Sequence, residues 1–171
     1  MAKGRGYVLG FAAMALLLLT GPKKKLGPKP VSNLAVGKPW PAPNEWAHSE
    51  KSEGQSSMQD LVRNDNPDIE FKDEEGSDED RYMTLRMKRA ADKLASLVKS
   101  EFPGLKLRVT DAFDTQGEHT GGSTHYEGRG MDFTTSDRDA AKMSRLAGLA
   151  TQSGFDWVLN ESTHVHASVR R

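Results

Sequence analysis

Two short stretches hold the residues whose types and spacing could do chemistry. They are Ser123-Thr124-His125-Tyr126-Glu127-Gly128-Arg129-Gly130-Met131-Asp132 and Glu161-Ser162-Thr163-His164-Val165-His166. Two histidines and one aspartate from them make a three-ligand zinc site, because zinc accepts imidazole nitrogen and carboxylate oxygen alike and keeps a fourth position open. Glu161 is the nearby glutamate that could act as general base beside such an ion. His164 and His166 stand two apart, so in a strand they face the same side. Asp132 sits between Met131 and Phe133, where an unpaired buried charge is costly and a metal would account for it. Singly, each residue reads as readily as a surface carboxylate or a scattered histidine. The spacing Ser-x-His-x-x-Gly-x-x-x-Asp makes them a set.

A second group is acidic: Glu74, Glu75 and Asp80 before the first helix, and Asp111 and Asp114 after the strand that ends at Thr110. If these segments are neighbours, five carboxylates converge, repel one another and call for a cation. Calcium, with six to eight hard oxygen ligands, fits. The competing reading is that acids near a helix start simply favour its dipole.

The elements that must position these groups follow from periodicity and punctuation. A short strand is expected over Pro67 to Phe71. A helix follows from about Asp80 to Glu101, with Met83, Met87, Ala90, Leu94 and Leu97 at helical spacing, stopped by Pro103-Gly104. Leu105, Leu107 and Val109 alternate with Lys106 and Arg108 as a half-buried strand. A polar, Gly-rich loop spans Asp114 to Thr124, and a strand runs from about Gly128 to Thr134. Ser136 or Asp137 caps a second helix that runs to about Gln152 and ends at Gly154. Strands are expected over Phe155 to Leu159 and His164 to Val169. The pattern is α+β, with two helices packed on one mixed sheet.

The chain has 171 residues, with 24 Lys and Arg against 24 Asp and Glu. That length accommodates one domain with a proper core, and the charge balance gives no footprint for nucleic acid. With 0 cysteines, disulfides, thiol nucleophiles and Cys-based zinc fingers are excluded. Residues 1–20 read as a signal peptide or signal anchor: Lys3 and Arg5 precede an apolar run, Tyr7 to Leu19, too short for an ordinary membrane span. Residues 21–57 form a basic arm rich in Pro, Gly and Ser, in which Lys23, Lys24, Lys25 and Lys29 could touch an anionic polysaccharide or a membrane surface. The folded unit is expected over 58–171, and the chain is expected to be secreted, with tethering through an uncleaved N-terminal segment as the variant.

The Ser-x-His-x-x-Gly-x-x-x-Asp spacing with a late His-x-His resembles the zinc D-alanyl-D-alanine peptidases of cell-wall metabolism. The wider pattern resembles the amino-terminal signalling domain of hedgehog proteins. Asn66-Pro67-Asp68-Ile69, Phe71-Lys72-Asp73-Glu74-Glu75, Asp80-Arg81-Tyr82-Met83-Thr84 and Phe102 to Thr110 carry that resemblance. So do His125 to Arg129, Thr134 to Asp139 and Gly154-Phe155-Asp156-Trp157-Val158.

The resemblance implies a hedgehog/peptidase-like fold, zinc held by His125, Asp132 and His166, and Glu161 in the place of the peptidase base. It places His164 and His119 in the same cleft. In the peptidases the glutamate takes a proton from the attacking water while zinc polarises the peptide carbonyl. The hedgehog domains keep the architecture but act as ligands of a cell-surface receptor or co-receptor. The turn from Glu161 to His164 is one residue shorter than the hedgehog pattern.

Hedgehog domains also bind two calcium ions at the positions matching Glu74, Glu75, Asp80, Asp111 and Asp114. Here Gln116 stands in place of a further acid, and Asp111 in place of a longer glutamate. Thr20-Gly21-Pro22 stands where the family has a lipid-bearing cysteine, so the chain reads as a stand-alone member or a fragment. Two functions follow from the resemblance: a secreted binding module, or a zinc peptidase acting on small peptides or peptidoglycan stems.

Overall fold

The computed structural model describes residues 1, 39–40, 52–72, 76–117 and 119–171. Apolar side chains at helical spacing give α1, Leu85–Glu101, whose Met87, Ala91, Leu94 and Val98 are all fully buried. Thr84 caps it, its Oγ1 accepting from the Met87 N–H at 3.3 Å and so satisfying one of the orphan donors of the first turn. Helix α2, Met143–Ser153, buries Met143, Leu146 and Ala150 and stops at Gly154, whose φ of 110° is left-handed and suits a residue without Cβ.

Eight strands accompany them among the described residues: β1 (Pro39–Trp40), β2 (Val62–Arg63), β3 (Ile69–Phe71), β4 (Tyr82–Met83), β5 (Leu107–Asp111), β6 (Gly130–Thr135), β7 (Trp157–Asn160) and β8 (Val165–Ser168). Six form one sheet in the order β1-β7-β8-β6-β5-β3, and β2 pairs with β4 apart from it. β3 and β5 run parallel and the other pairs antiparallel. This is the expected α+β fold with a mixed sheet. Leu107, Val109, Met131, Phe133, Val158, Val165 and Ala167 join the helices in the core. Each large apolar side chain so buried stabilises by roughly 1.5–3 kcal/mol. Side chains alternate along a strand, so Asp132 and His166 emerge on the sheet face opposite the helices.

Three local expectations differ from the structure. The stretch before α1 is not helical from Asp80. Glu79–Arg81 is a single 3₁₀ turn and Tyr82–Met83 pairs with β2, which turns Met83 into the core before the helix begins at Leu85. Strand β5 is covered on both faces at Arg108, which is 8% exposed and faces Glu70 at 3.3 Å. The second helix is capped by neither Ser136 nor Asp137. Asp139 accepts from the Ala141 N–H and opens a 3₁₀ turn, Ala140–Lys142, that leads into α2, while Asp137 binds Thr135 and Lys142.

Glu74, Glu75, Lys23, Lys24, Lys25 and Lys29 lie outside the described residues, as does the segment expected as a signal apart from Met1. Residues 52–57 are held against the loop before β6: the Ser52 N–H donates to Gly122 O, the Ser56 N–H to Tyr126 O, and Gln55 Nε2 to Asp114 O. Among the described residues no helix is long and apolar enough to cross a membrane.

Candidate metal centre

His125 is placed by a tight local device. Ser123 opens the 3₁₀ turn Thr124–Glu127, its Oγ accepting from the His125 N–H at 3.3 Å. Gly128, at a φ of 62°, closes the turn, and its N–H donates to His125 O. Gly130 follows where a Cβ would stand 2.6 Å from Thr124 Oγ1 and 2.7 Å from His125 Cδ2. Only glycine admits the imidazole there. The ring is 1% exposed, and its Nδ1–H donates to Ala112 O at 2.7 Å. That hydrogen bond leaves Nε2 free to face the cleft.

Asp132 and His166 are cross-strand partners on β6 and β8, so strand register brings them together. His166 Nδ1 lies 2.8 Å from Asp132 Oδ1 and 3.3 Å from His125 Nε2, and the third edge, His125 Nε2 to Asp132 Oδ1, is 3.6 Å. A tetrahedral ion with bonds of about 2.0–2.2 Å keeps its donors about 3.3–3.6 Å apart. Two imidazole nitrogens and one carboxylate oxygen suit zinc in chemistry, and two of the three edges match its size; the third, a direct hydrogen bond of 2.8 Å between His166 and Asp132, must open by about half an ångström to admit an ion.

Without an ion the group is balanced internally. Burial opposes charge on His125, but Asp132, with Asp111 behind the ring, outweighs it and raises its pKa to about 9. Burial likewise opposes charge on Asp132, yet His125 and His166 hold that carboxyl well below the usual range. For Asp111, burial is outweighed by the neighbouring imidazoles of His119 and His125, which lower it to about 2.

The three residues line an open cleft of about 330 Å³ together with Glu161, His164 and His119. His164 Nε2 is 3.4 Å from Asp132 Oδ2 and 3.3 Å from Glu161 Oε2, so Glu161 reaches the candidate donor group through His164. His119 stacks on His125 with centroids 3.9 Å apart and planes inclined by 19°. Its backbone carbonyl accepts from the Tyr126 hydroxyl. Trp157 and Leu159 of β7 supply the apolar wall.

A separate acidic cavity, just large enough for one small ion at about 10 Å³, is lined by Asp80, Asp111 and Asp114. Glu79 lines it too, 6% exposed, accepting from Thr115 Oγ1 at 2.5 Å. Sequence reasoning missed Glu79 because an acid at a helix start reads as a solvated cap. Its signal was adjacency to Asp80 within Asp78-Glu79-Asp80. Asp80 accepts from the Ala112 N–H at 2.7 Å, and Asp114 from the N–H groups of Gln116 and Gly117.

Residues 44–168 match the family model of the hedgehog amino-terminal signalling domain. The chain is 51% identical over 114 residues to Tiggy-winkle hedgehog protein of Danio rerio, covering 66% of this chain and 27% of that protein. It is 52% identical over 114 residues to Indian hedgehog protein of Gallus gallus (66% and 28%), and 47% identical over 111 residues to Protein hedgehog of Drosophila hydei (64% and 23%). The chain thus spans about a quarter of the length of these curated relatives.

Proposed function

The chain belongs to the hedgehog amino-terminal signalling family, and from that premise we propose that it is a secreted ligand whose metal-binding face engages a cell-surface receptor. The convergence of His125 Nε2, Asp132 Oδ1 and His166 Nδ1, each within 3.6 Å of the others, carries this reading. Zinc bound there would pin β6, β8 and the turn Thr124–Glu127 together, fixing the cleft rim that a partner meets. The acidic cavity takes calcium, with Glu79, Asp80, Asp111 and Asp114 at its wall and Glu74 and Glu75 adjoining in sequence. Glu79 makes up for the acid that Gln116 replaces. Lys23, Lys24, Lys25 and Lys29 add a contact with anionic polysaccharide.

The test is binding of the full chain to cells displaying a hedgehog receptor, with calcium and then with a chelator. Calcium-dependent binding that Asp114→Ala weakens is the expected result. Binding indifferent to calcium and to Asp114→Ala would sink the proposal.

One observation favours a second reading as a zinc peptidase: Glu161 and His164 open onto the cleft that holds the three donors. Zinc would polarise a scissile carbonyl. Glu161 would accept the proton of an attacking water, and His164 or His119 would face the developing negative charge. Hydrolysis of D-alanyl-D-alanine peptides and peptidoglycan fragments, lost in Glu161→Ala with zinc retained, is the outcome this reading requires.

A further inference from the structure

We propose that Asp111 is a positioning residue of the histidine cleft, holding His125 from behind so that its Nε2 is presented to the metal. The proposal rests on the zinc reading above. Asp111 belongs to the wall of the acidic cavity, yet its carboxylate turns toward the imidazoles. Oδ1 lies 3.2 Å from His125 Nδ1 and Oδ2 lies 3.3 Å from His119 Nε2.

A register shift between Val109 and Asp111 sets Asp111 opposite Asp132 on the neighbouring strand; such irregularities re-aim a side chain. Two carboxylates directly across a strand pair repel. Here the ring of His125 stands between them, Nδ1 toward Asp111 and Nε2 toward Asp132.

Asp111, His119 and His125 also bring their donor atoms within 4.8 Å of one another. They are not a second ion site, because the Nδ1–H of His125 is already given to Ala112 O at 2.7 Å. They are an outer sphere. Ala112 O and Asp111 fix the tautomer and tilt of His125, a carboxylate near Nδ1–H makes Nε2 a stronger donor, and the stacked His119 ring keeps both from swinging. The sequence could not assign this role, since it places Asp111 with the calcium acids.

The deciding experiment is zinc affinity of the full chain, by competition with a chromophoric chelator in calcium-free buffer. There a residue that served only the acidic cavity would be silent. Asp111→Asn is expected to weaken zinc by about tenfold to a hundredfold, the usual effect of losing an outer partner. Its cobalt(II)-loaded spectrum should keep the wild-type band pattern, because the three donors remain, whereas Asp132→Asn changes it.

Glu101→Gln is the control. It breaks an ion pair to Arg145 on the other side of the sheet and should leave zinc affinity unchanged. If circular dichroism shows Asp111→Asn unfolded, His119→Phe decides: it keeps a ring on His125 but removes the nitrogen facing Asp111, and should also weaken zinc. Wild-type affinity in the folded variant overturns the inference. A wild-type chain that holds no zinc in the same assay overturns the zinc reading on which it rests.

Discussion

The histidine cleft and the acidic cavity meet at one dipeptide, Asp111-Ala112, and solve the same electrostatic problem in opposite ways. In the cleft every carboxylate faces an imidazole: Asp132 meets His125, His164 and His166, and Asp111 meets His119 and His125. In the cavity Glu79, Asp80 and Asp114 are buried beside Thr110, Phe113 and Gln116, with no Lys, Arg or His among the described lining residues. The oxygens there draw on backbone N–H groups and the Thr115 hydroxyl instead. A set that carries its own counter-charges keeps its geometry before an ion arrives. Acids gathered at one wall gain from a cation that relieves their repulsion. Ala112 joins the two, its N–H given to Asp80 and its carbonyl accepting from His125.

The most severe way to break this contrast is to unbalance the cleft. Asp132→Ala leaves His125 and His166 facing each other without their carboxylate. Loss of one partner of a buried pair costs about 3–5 kcal/mol, measurable by urea unfolding of the metal-free chain. The same variant should not hold zinc.

The balance is also titratable. In the metal-free protein His125 has its pKa raised from 6.5 to about 9. A raised folded value means that its contribution to stability is fully present below about pH 6.5 and is lost as pH rises through about 9. The melting temperature in a chelator should therefore fall across that window. Zinc, which takes the neutral ring, should bind more tightly over the same rise and flatten the decline. A chelated protein equally stable at pH 6 and pH 9.5 would contradict the assignment.

Gly130→Ala tests how finely the cleft is seated. Its Cβ meets Thr124 Oγ1 and His125 within 2.9 Å, and overpacking of that kind typically costs about 1–3 kcal/mol. Zinc affinity should fall with it, because His125 is the atom group displaced.

Glu79→Gln sharpens the other half of the comparison through a change of sign. In a calcium chelator, removing one of the crowded charges should raise the melting temperature. A change of 1 kcal/mol is worth about 4 °C in a domain of this size. With calcium present the variant should gain less from the ion than the wild type. An equal calcium-induced rise in both proteins would show that Glu79 does not serve a bound cation.

The α+β fold was legible because helices and strands report themselves locally: Met87, Leu94 and the alternation around Leu107 and Val109 are periodicities of the chain itself. The residues of the candidate metal centre stood out by type, spacing and family pattern. Their arrangement was not. That His125 is approached by Asp132 from one side and Asp111 from the other depends on the register of β5, β6 and β8 and on the shift after Val109, which are pairings between distant segments.

Glu79, signalled only by adjacency to Asp80, and Gly130 were passed over for the same reason. An acid beside an acid, or a glycine at a strand start, has no stated neighbour until the chain closes around it. Met83, read as the first apolar turn of α1, went to β4 because pairing with β2 outweighed helical propensity. Periodicity and motif by themselves determined the fold class and the donor atoms on offer, and the family followed from resemblance. Tertiary structure alone decided which carboxylate serves which site, because charge balance in a buried cluster depends on separations of a few ångströms that sequence distance does not encode.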